Sequence, residues 1–387
     1  MEKEPVLGGQ LLQLKRSLDN RLLQDLVEDL RAKIAEQPLI SVLTGCEVIE
    51  QHGFVGSFET EIVMPSGATR SLKHGAIIIA TGAEEFRPEL YGLDEVAGVV
   101  TQTDFEKLLE EEELTGDRPH VVMLQCAGSR DVEQLPYCSR VCCNQAVKNS
   151  LSFVEKYPQG RVDVLYRDMR CYGLGELEYR KARQAGVNFI RFDPATSPPT
   201  IDSVPGAIKV AVLDPSIRRM VELEPDILVL STGMKPRDTE ELASMLRVPR
   251  NDQGFFIEAH AKLRPVDLPS EGLFMAGTAH GPKSCFETIV QAQAAVARAT
   301  TLLSKKSMKM SAIVSIVDPT NCAVCLTCVR ACPYGVPFIN DQHSAEINPA
   351  LCQGCGICVA ECPAKTIHMG RFEDSNIRAK LESYSAT

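Results

Sequence analysis

Two stretches near the C-terminus constrain this chain more than any other feature. CAVCLTCVRACP supplies Cys322, Cys325, Cys328 and Cys332, followed by Pro333. CQGCGICVAECP supplies Cys352, Cys355, Cys358 and Cys362, followed by Pro363. Both read C-x2-C-x2-C-x3-C-P. A loop of this spacing wraps three thiolates around one iron–sulfur cubane and sends the fourth to a neighbouring cluster. One [4Fe–4S] cluster is therefore expected on Cys322, Cys325, Cys328 and Cys362, and a second on Cys352, Cys355, Cys358 and Cys332. Paired C-x2-C also suits zinc, but two four-cysteine runs of identical spacing, each closed by Pro, favour the clusters.

The segment resembles the bacterial two-cluster ferredoxin domain. The resemblance implies an α+β lobe over 321–387 that relays single electrons and does no bond chemistry. The whole chain holds fifteen cysteines in 387 residues, which in a large chain without a visible signal peptide points to ligation rather than disulfides. The N-terminus MEKEPVLGGQ is charged, and no apolar run is long enough to span a bilayer; a cytoplasmic protein is expected. A net charge of −10 and the absence of Trp argue against a nucleic-acid partner.

Three strand-then-glycine stretches organise the remaining chain: GAIIIATGA at 75–83, PDILVLSTGMKPR at 225–237, and EGLFMAGTAHGP at 271–282, which runs into a long Ala-rich helix. In this order they resemble the two-dinucleotide-binding-domain flavoproteins of the thioredoxin and glutathione reductase type. The fold class expected is α/β. A discontinuous FAD-binding-like domain would span 1–115 and 236–303, with an inserted NAD-domain-like module at 116–235, a linker at 304–320 and the ferredoxin lobe. The resemblance implies flavin contacts at Ala80, Thr81, Gly82, Gly277, Thr278, Gly281 and Pro282, and at a helix start near Ile289 and Gln291. Glycine there lets backbone approach the cofactor, and a helix N-terminus faces its phosphates.

A Rossmann-type FAD domain opens with strand, G-x-G-x-x-G and helix, and its second strand ends in an acidic residue for the ribose. This sequence opens instead with MEKEPVLGGQLLQL. That stretch resembles the end of the second strand, with Glu2 in the ribose place and Gly8 and Gly9 following; Val48 joins the same set. The fold is thus expected to lack its first βα unit. The missing half would lie upstream of Met1 or in another chain, or flavin binding would be weakened. The segment KRSLDNRLLQDLVEDLRAKIAEQ (15–37) reads as a helix.

The inserted module opens with the strand HVVMLQC. A nicotinamide site would continue with a glycine fingerprint; here the chain continues CAGSRDVEQLPYCSRVCCNQAVK, and the later Gly173-x-Gly175 is no substitute. Cys126, Cys138, Cys142 and Cys143 converge at the mouth of that strand. They could hold a [4Fe–4S] cluster, remain buried thiols, or form a redox-active pair.

LQCAGSRD, YCSRVCCNQAVK and YRDMRCYG resemble the HdrA family of heterodisulfide reductases, and with the flavoprotein body and the ferredoxin repeat the likeness covers nearly the whole chain. The resemblance implies a third [4Fe–4S] cluster on Cys126, Cys138, Cys142 and Cys143, beside FAD. It implies an electron-transferring, sometimes electron-bifurcating subunit of an anaerobic oxidoreductase. Its partners would be other iron–sulfur or flavin subunits, including hydrogenase-like or formate dehydrogenase-like donors. The acceptor would be a heterodisulfide, an adenylylsulfate reductase and quinone route, or an aromatic acyl-CoA reductase. The rival is a flavin-free iron–sulfur relay or scaffold. Cys46, Cys171 and Cys285 are expected to be buried structural thiols, and His260, His280 and His343 to serve turns or the surface rather than catalysis.

Overall fold

The structure is a computed structural model. It describes all residues except 18–20, 112, 113, 115, 117, 205, 308–311, 386 and 387. Part of the helix expected over 15–37 and part of the linker expected over 304–320 lie outside the described residues.

Helix α1 (Leu23–Glu36) is followed by an antiparallel meander, β1 (Glu47–Phe54), β2 (Ser57–Val63) and β3 (Thr69–His74). Next come β4 (Ile77–Ile79), β5 (Ala83–Glu85), β6 (Val99–Thr101), α2 (Gln102–Glu111), β7 (His120–Gln125), α3 (Cys142–Lys156), β8 (Arg161–Tyr166), α4 (Gly175–Gln184) and β9 (Asn188–Arg191). A second meander, β10 (Thr200–Val204), β11 (Ala207–Asp214) and β12 (Arg219–Leu223), precedes β13 (Ile227–Ser231), β14 (Met234–Pro236) and α5 (Glu240–Leu246). Then follow β15 (Leu273–Met275), α6 (Cys285–Leu303), β16 (Ser315–Val317), α7 (Thr327–Ala331), β17 (Pro337–Ile339), β18 (Ala345–Ile347), α8 (Ile357–Glu361), β19 (Ile367–Met369) and α9 (Asp374–Ser385).

The inserted module is a three-layer sandwich. Its parallel sheet runs β6-β13-β7-β8-β9. Successive side chains on a strand face opposite sides, and both sides are apolar here. Val121 and Met123, with Ile227 and Val229, pack against α2 and α3, where Phe105 and Phe153 are fully buried. Val122, Leu124, Leu228 and Leu230 face the second meander at Val210 and Val212. Burial on both faces is why these strands read as continuous hydrophobic runs. The sheet includes Val99–Thr101, so the module starts earlier than the expected residue 116; a three-residue strand carries too little periodicity to be seen in sequence. β5 and β14 pair antiparallel as the two-stranded connector to the flavin-type half.

That half is thin. Among the described residues its parallel sheet has two strands, with Leu273–Met275 pairing Ile77–Ile79. Ile78 of β4 and Ala80 just after it are exposed. Residues 1–8 form no strand; Glu2 N–H donates to Leu43 O at 2.8 Å and Cys46 N–H to Glu2 O at 3.1 Å.

The C-terminal lobe repeats one unit twice. Helices α7 and α8 follow the two cysteine loops, and β16 pairs β19 while β17 pairs β18. Residues 315–320 of the expected linker therefore belong to this lobe, because Ser315–Val317 is hydrogen-bonded to Ile367–Met369.

Candidate functional site

In the C-terminal lobe, Cys322, Cys325, Cys328 and Cys362 line one cavity. This is the set expected for the first cluster: three ligands from the first loop and the last from the second. The other set is equally grouped. Burial pushes the Cys358 thiol up, and Cys352, Cys332 and Cys355 beside it add to the rise. The loops hold matching left-handed residues, Val324 and Leu326 in the first and Gly354 and Gly356 in the second. A β-branched residue at φ 51° is strained and persists where its surroundings demand that turn. Backbone N–H groups donate to the sulfurs in the same pattern, Ala345 to Cys322 at 3.3 Å and Ser315 to Cys352 at 3.4 Å. The residues fit two cubanes.

The inserted module gathers its four cysteines where β7 ends and α3 begins. Cys126 closes β7 in the left-handed region, at φ 61°. Cys142 and Cys143 occupy the first turn of α3, at 2 % and 3 % exposure. The hydrogen bond between them raises Cys142 and lowers Cys143. Burial pushes Cys126 up, and Cys143 and Cys138 add to it. Arg130, Arg167 and Arg170 act in the opposite sense and favour thiolates, and the N-terminal end of a fifteen-residue helix adds further positive potential. Gln125 Oε1, Ser129 Oγ and Asn144 Oδ1 flank the cysteines and are buried without a hydrogen-bond partner. Mutually close thiols, a cationic collar and orphaned polar atoms fit a cluster carrying net negative charge. Among the described residues no three His, Cys, Asp or Glu side chains converge tightly enough for a single metal ion; a cubane holds its thiolates at separate corners, farther apart than the ligands of one ion. Cys171 is a fifth neighbour: burial first, then Cys143, pushes its thiol up to about 12.

A cavity of about 300 Å³ lies beside this cysteine site. Its walls come from several places, among them Glu85, Thr103 and Thr232. Val141 and Gln145 belong to the start of α3; Thr278, Lys283 and Ile289 come from the glycine turn and α6; Gly8, Leu11 and Leu14 come from the N-terminal segment. Of the expected flavin contacts, Gly8, Thr278 and Ile289 line it. Gly82 sits behind Thr278, whose Oγ1 lies 3.8 Å from where a Cβ on Gly82 would stand. Thr81 Oγ1 is buried and unpartnered. Glu2, Gly9, Val48, Ala80, Gly277, Gly281, Pro282 and Gln291 do not line the cavity. Gln291 is a brace: its Oε1 accepts from Gly277 N–H at 2.9 Å, its amide donates to His280 Nδ1 at 2.8 Å, and His280 Nε2–H donates to Glu258 at 2.9 Å. His280 thus links Gln291 of α6 to Glu258 beside the turn.

The helix behind the turn begins at Cys285, not near Ile289 and Gln291. Ser284 caps it and exchanges hydrogen bonds with Glu287 in a capping box, which Ser-x-x-Glu in the sequence announces. The earlier start places Cys285 on the cavity wall rather than in a core. Cys46 is the buried thiol expected, donating to Thr44 O at 3.2 Å.

The polar groups of the cavity carry no motif and were not legible in sequence. Lys283, 9 % exposed, donates to Gly277 O at 2.6 Å and Gly281 O at 2.9 Å, and burial pushes it down to about 8. Glu85 accepts from Thr103 Oγ1 at 2.7 Å, and burial raises it. Arg140, between Cys138 and Cys142, donates to Glu287 at 2.6 Å, to Tyr172 Oη at 3.2 Å and to Pro282 O at 3.4 Å. Ser139 Oγ accepts from Met234 N–H at 2.8 Å, and Tyr137 donates to Met234 O at 2.9 Å. The cysteine loop is thereby fixed to Gly233 and Met234, which also line the cavity. The residues fit a flavin ring. Glu2, expected in the ribose place, folds back to accept from Glu4 N–H at 3.0 Å.

Residues 315–379 match the family described as a 4Fe-4S dicluster domain. The second HdrA-type iron–sulfur subunit of CoB–CoM heterodisulfide reductase in Methanopyrus kandleri is 40% identical over 281 residues, 67% of this chain and 42% of the relative. The HdrA-type iron–sulfur subunit of CoB–CoM heterodisulfide reductase in Methanocaldococcus jannaschii is 30% identical, covering 90% of this chain and 67% of the relative. The HdrA-type subunit of the H2:CoB–CoM heterodisulfide,ferredoxin reductase in Methanothermobacter thermautotrophicus is 35% identical over 80% of this chain and 49% of the relative. The chain thus spans about half the length of several curated relatives it matches. Among solved structures, thioredoxin reductase of Lactococcus lactis superposes with a TM-score of 0.53 at 16% identity, covering 78% of this chain and 90% of that one. That likeness is one of fold.

Proposed function

We propose that this chain, which belongs to the HdrA family of heterodisulfide reductases, is an electron-transfer subunit of a larger oxidoreductase, distributing electrons between a flavin and three [4Fe–4S] clusters. One observation carries the reading. The cavity that fits the flavin ring shares a wall, at Val141 and Gln145, with the helix whose first turn holds Cys142 and Cys143. In a pyridine-nucleotide enzyme that position would deliver hydride; here it would deliver single electrons.

A flavin, when bound, exchanges two electrons and can release them singly, while each cluster carries one. The chain's own residues position and polarise. Arg140 holds the cysteine loop against α6. Lys283 presents a buried ammonium at the cavity wall, and burial raises the Glu85 carboxyl above its ordinary range. The C-terminal lobe, with Cys325 and Cys355 exposed, gives partners access to the outer clusters. Iron–sulfur or flavin subunits of the heterodisulfide reductase, hydrogenase or formate dehydrogenase kind are the partners proposed. Bifurcation at the flavin belongs to the same proposal.

The unpaired edge of β4, with Ile78 and Ala80 exposed, favours a second reading, an iron–sulfur relay without flavin. Anaerobic reduction of the reconstituted chain, followed by absorbance and EPR, separates the two. Flavin and clusters taking up electrons in one connected equilibrium supports the first reading. Cluster signals with no flavin bands in a fully reconstituted chain support the second.

A further inference from the structure

We propose that Glu106 and Lys148 form the clamp that closes the flavin cavity, by gripping the backbone of Arg16 and holding residues 8–17 as a roof. The proposal rests on the flavin reading of the cavity. Lys148 Nζ and Glu106 Oε1 lie 2.6 Å apart, with side chains 5 % and 4 % exposed. Both then engage one residue of the N-terminal segment: Arg16 N–H donates to Glu106 Oε1 at 2.8 Å, and Lys148 donates to Arg16 O at 3.0 Å. The Arg16 side chain adds a bond to Glu110 at 2.8 Å. The segment so held contributes Gly8, Gln10, Leu11, Gln13 and Leu14 to the cavity wall.

A buried ion pair is a poor device for stability, since desolvation opposes the attraction, and it is better suited to fixing geometry. This pair is not optimised for stability: Glu106 Oε2 is buried without a partner, and burial lowers Lys148 despite its carboxylate neighbour. What the pair achieves is the capture of both the donor and the acceptor of a single peptide segment. The site of capture matters. Helix α3 carries Cys142 and Cys143 in its first turn, Gln145 on the cavity wall and Lys148 at the clamp. One rigid element therefore sets the cysteine site, the cavity and the roof together.

The test uses the full chain, anaerobically reconstituted, with both residues replaced by Met (E106M/K148M). An apolar pair of similar volume preserves packing but cannot hold Arg16. Trypsin cleavage after Lys15 and Arg16 is followed together with iron content and FAD affinity. Iron is expected to stay constant, cleavage to accelerate and FAD affinity to fall, each by on the order of tenfold, as loss of one or two buried hydrogen bonds implies. Lys148→Arg, which keeps charge and donors, is expected to restore protection. Cleavage as slow as wild type overturns the clamp. Faster cleavage with unchanged FAD affinity overturns the roof's role. A wild-type chain that binds no FAD overturns the cavity's assignment, while its cleavage ratio still decides the clamp. Should the double variant lose iron, Lys148→Met, which removes the donor to Arg16 O, gives the same comparison with a smaller change, and no change overturns the clamp.

Discussion

The guanidinium of Arg140 meets the carboxylate of Glu287 at 2.6 Å, tying the loop that carries Cys138 to the first turn of the helix that lines the flavin cavity. Neither partner is deeply buried, so the pair itself contributes only about 0.2–1 kcal/mol to stability. Its consequence is electrical and geometric. The backbone N–H of Arg140 also donates to Cys138 Sγ at 3.3 Å, so one residue bonds both the cysteine loop and the first turn of α6.

Arg140→Gln is expected to lower the potential of the inserted cluster by tens of millivolts, roughly the work of removing a unit charge a few ångströms away in a water-like medium. Arg140→Lys should keep most of the potential and lose the three-way contact. An EPR-monitored redox titration of both variants checks this; equal potentials in wild type and Arg140→Gln would deny the coupling.

Cys138→Ser should remove about four irons per chain, and Cys171→Ala none. Cys171 is packed beside Cys143, so proximity alone does not choose between them; an equal loss from Cys171→Ala would reassign the ligands. Iron and acid-labile sulfide analysis gives the answer directly.

The two ferredoxin loops should respond oppositely at matched positions. Val324→Gly relieves a left-handed backbone and should stabilise the first loop by about 1–2 kcal/mol. Gly354→Val puts a Cβ 2.5 Å from Ile313 O in addition to the same strain, and should cost the second cluster. Cluster retention under a chelator, followed by absorbance, measures both.

Lys283 supplies a pH dependence. Its folded pKa, about 8, lies below the ordinary 10.5, so its stability contribution is present above 10.5 and lost as pH falls through 8. Wild type measured against Lys283→Met should therefore gain stability between pH about 8 and 10.5, by up to about 3 kcal/mol. Denaturant titrations across that window check the sign; a flat difference would mean that Lys283 is not desolvated.

What the sequence showed and what it hid divide along physical lines. Ligand spacing is local, so the ferredoxin cysteines could be read from spacing, whereas the run from Cys138 to Cys143 was assigned only by resemblance; the structure brings Cys322, Cys325, Cys328 and Cys362 to one cavity. Buried strands such as Val121–Leu124 announced themselves as apolar runs, whereas Val99–Thr101 was too short to do so. The Ser284–Glu287 capping box was legible and would have started α6 four residues before Ile289. Arg140 and the Glu106–Lys148 pair were invisible, because their partners lie as many as 147 residues away in sequence and no local pattern encodes a meeting at that distance.

The central claim is a flavin beside a third cluster, and the most direct measurement is cofactor content of the anaerobically purified chain. The account predicts about twelve irons, twelve sulfides and one flavin per polypeptide, the sum of three cubanes and one filled cavity. About eight irons would remove the cluster from Cys126, Cys138, Cys142 and Cys143, and twelve irons without flavin would leave an electron relay whose cavity serves something else.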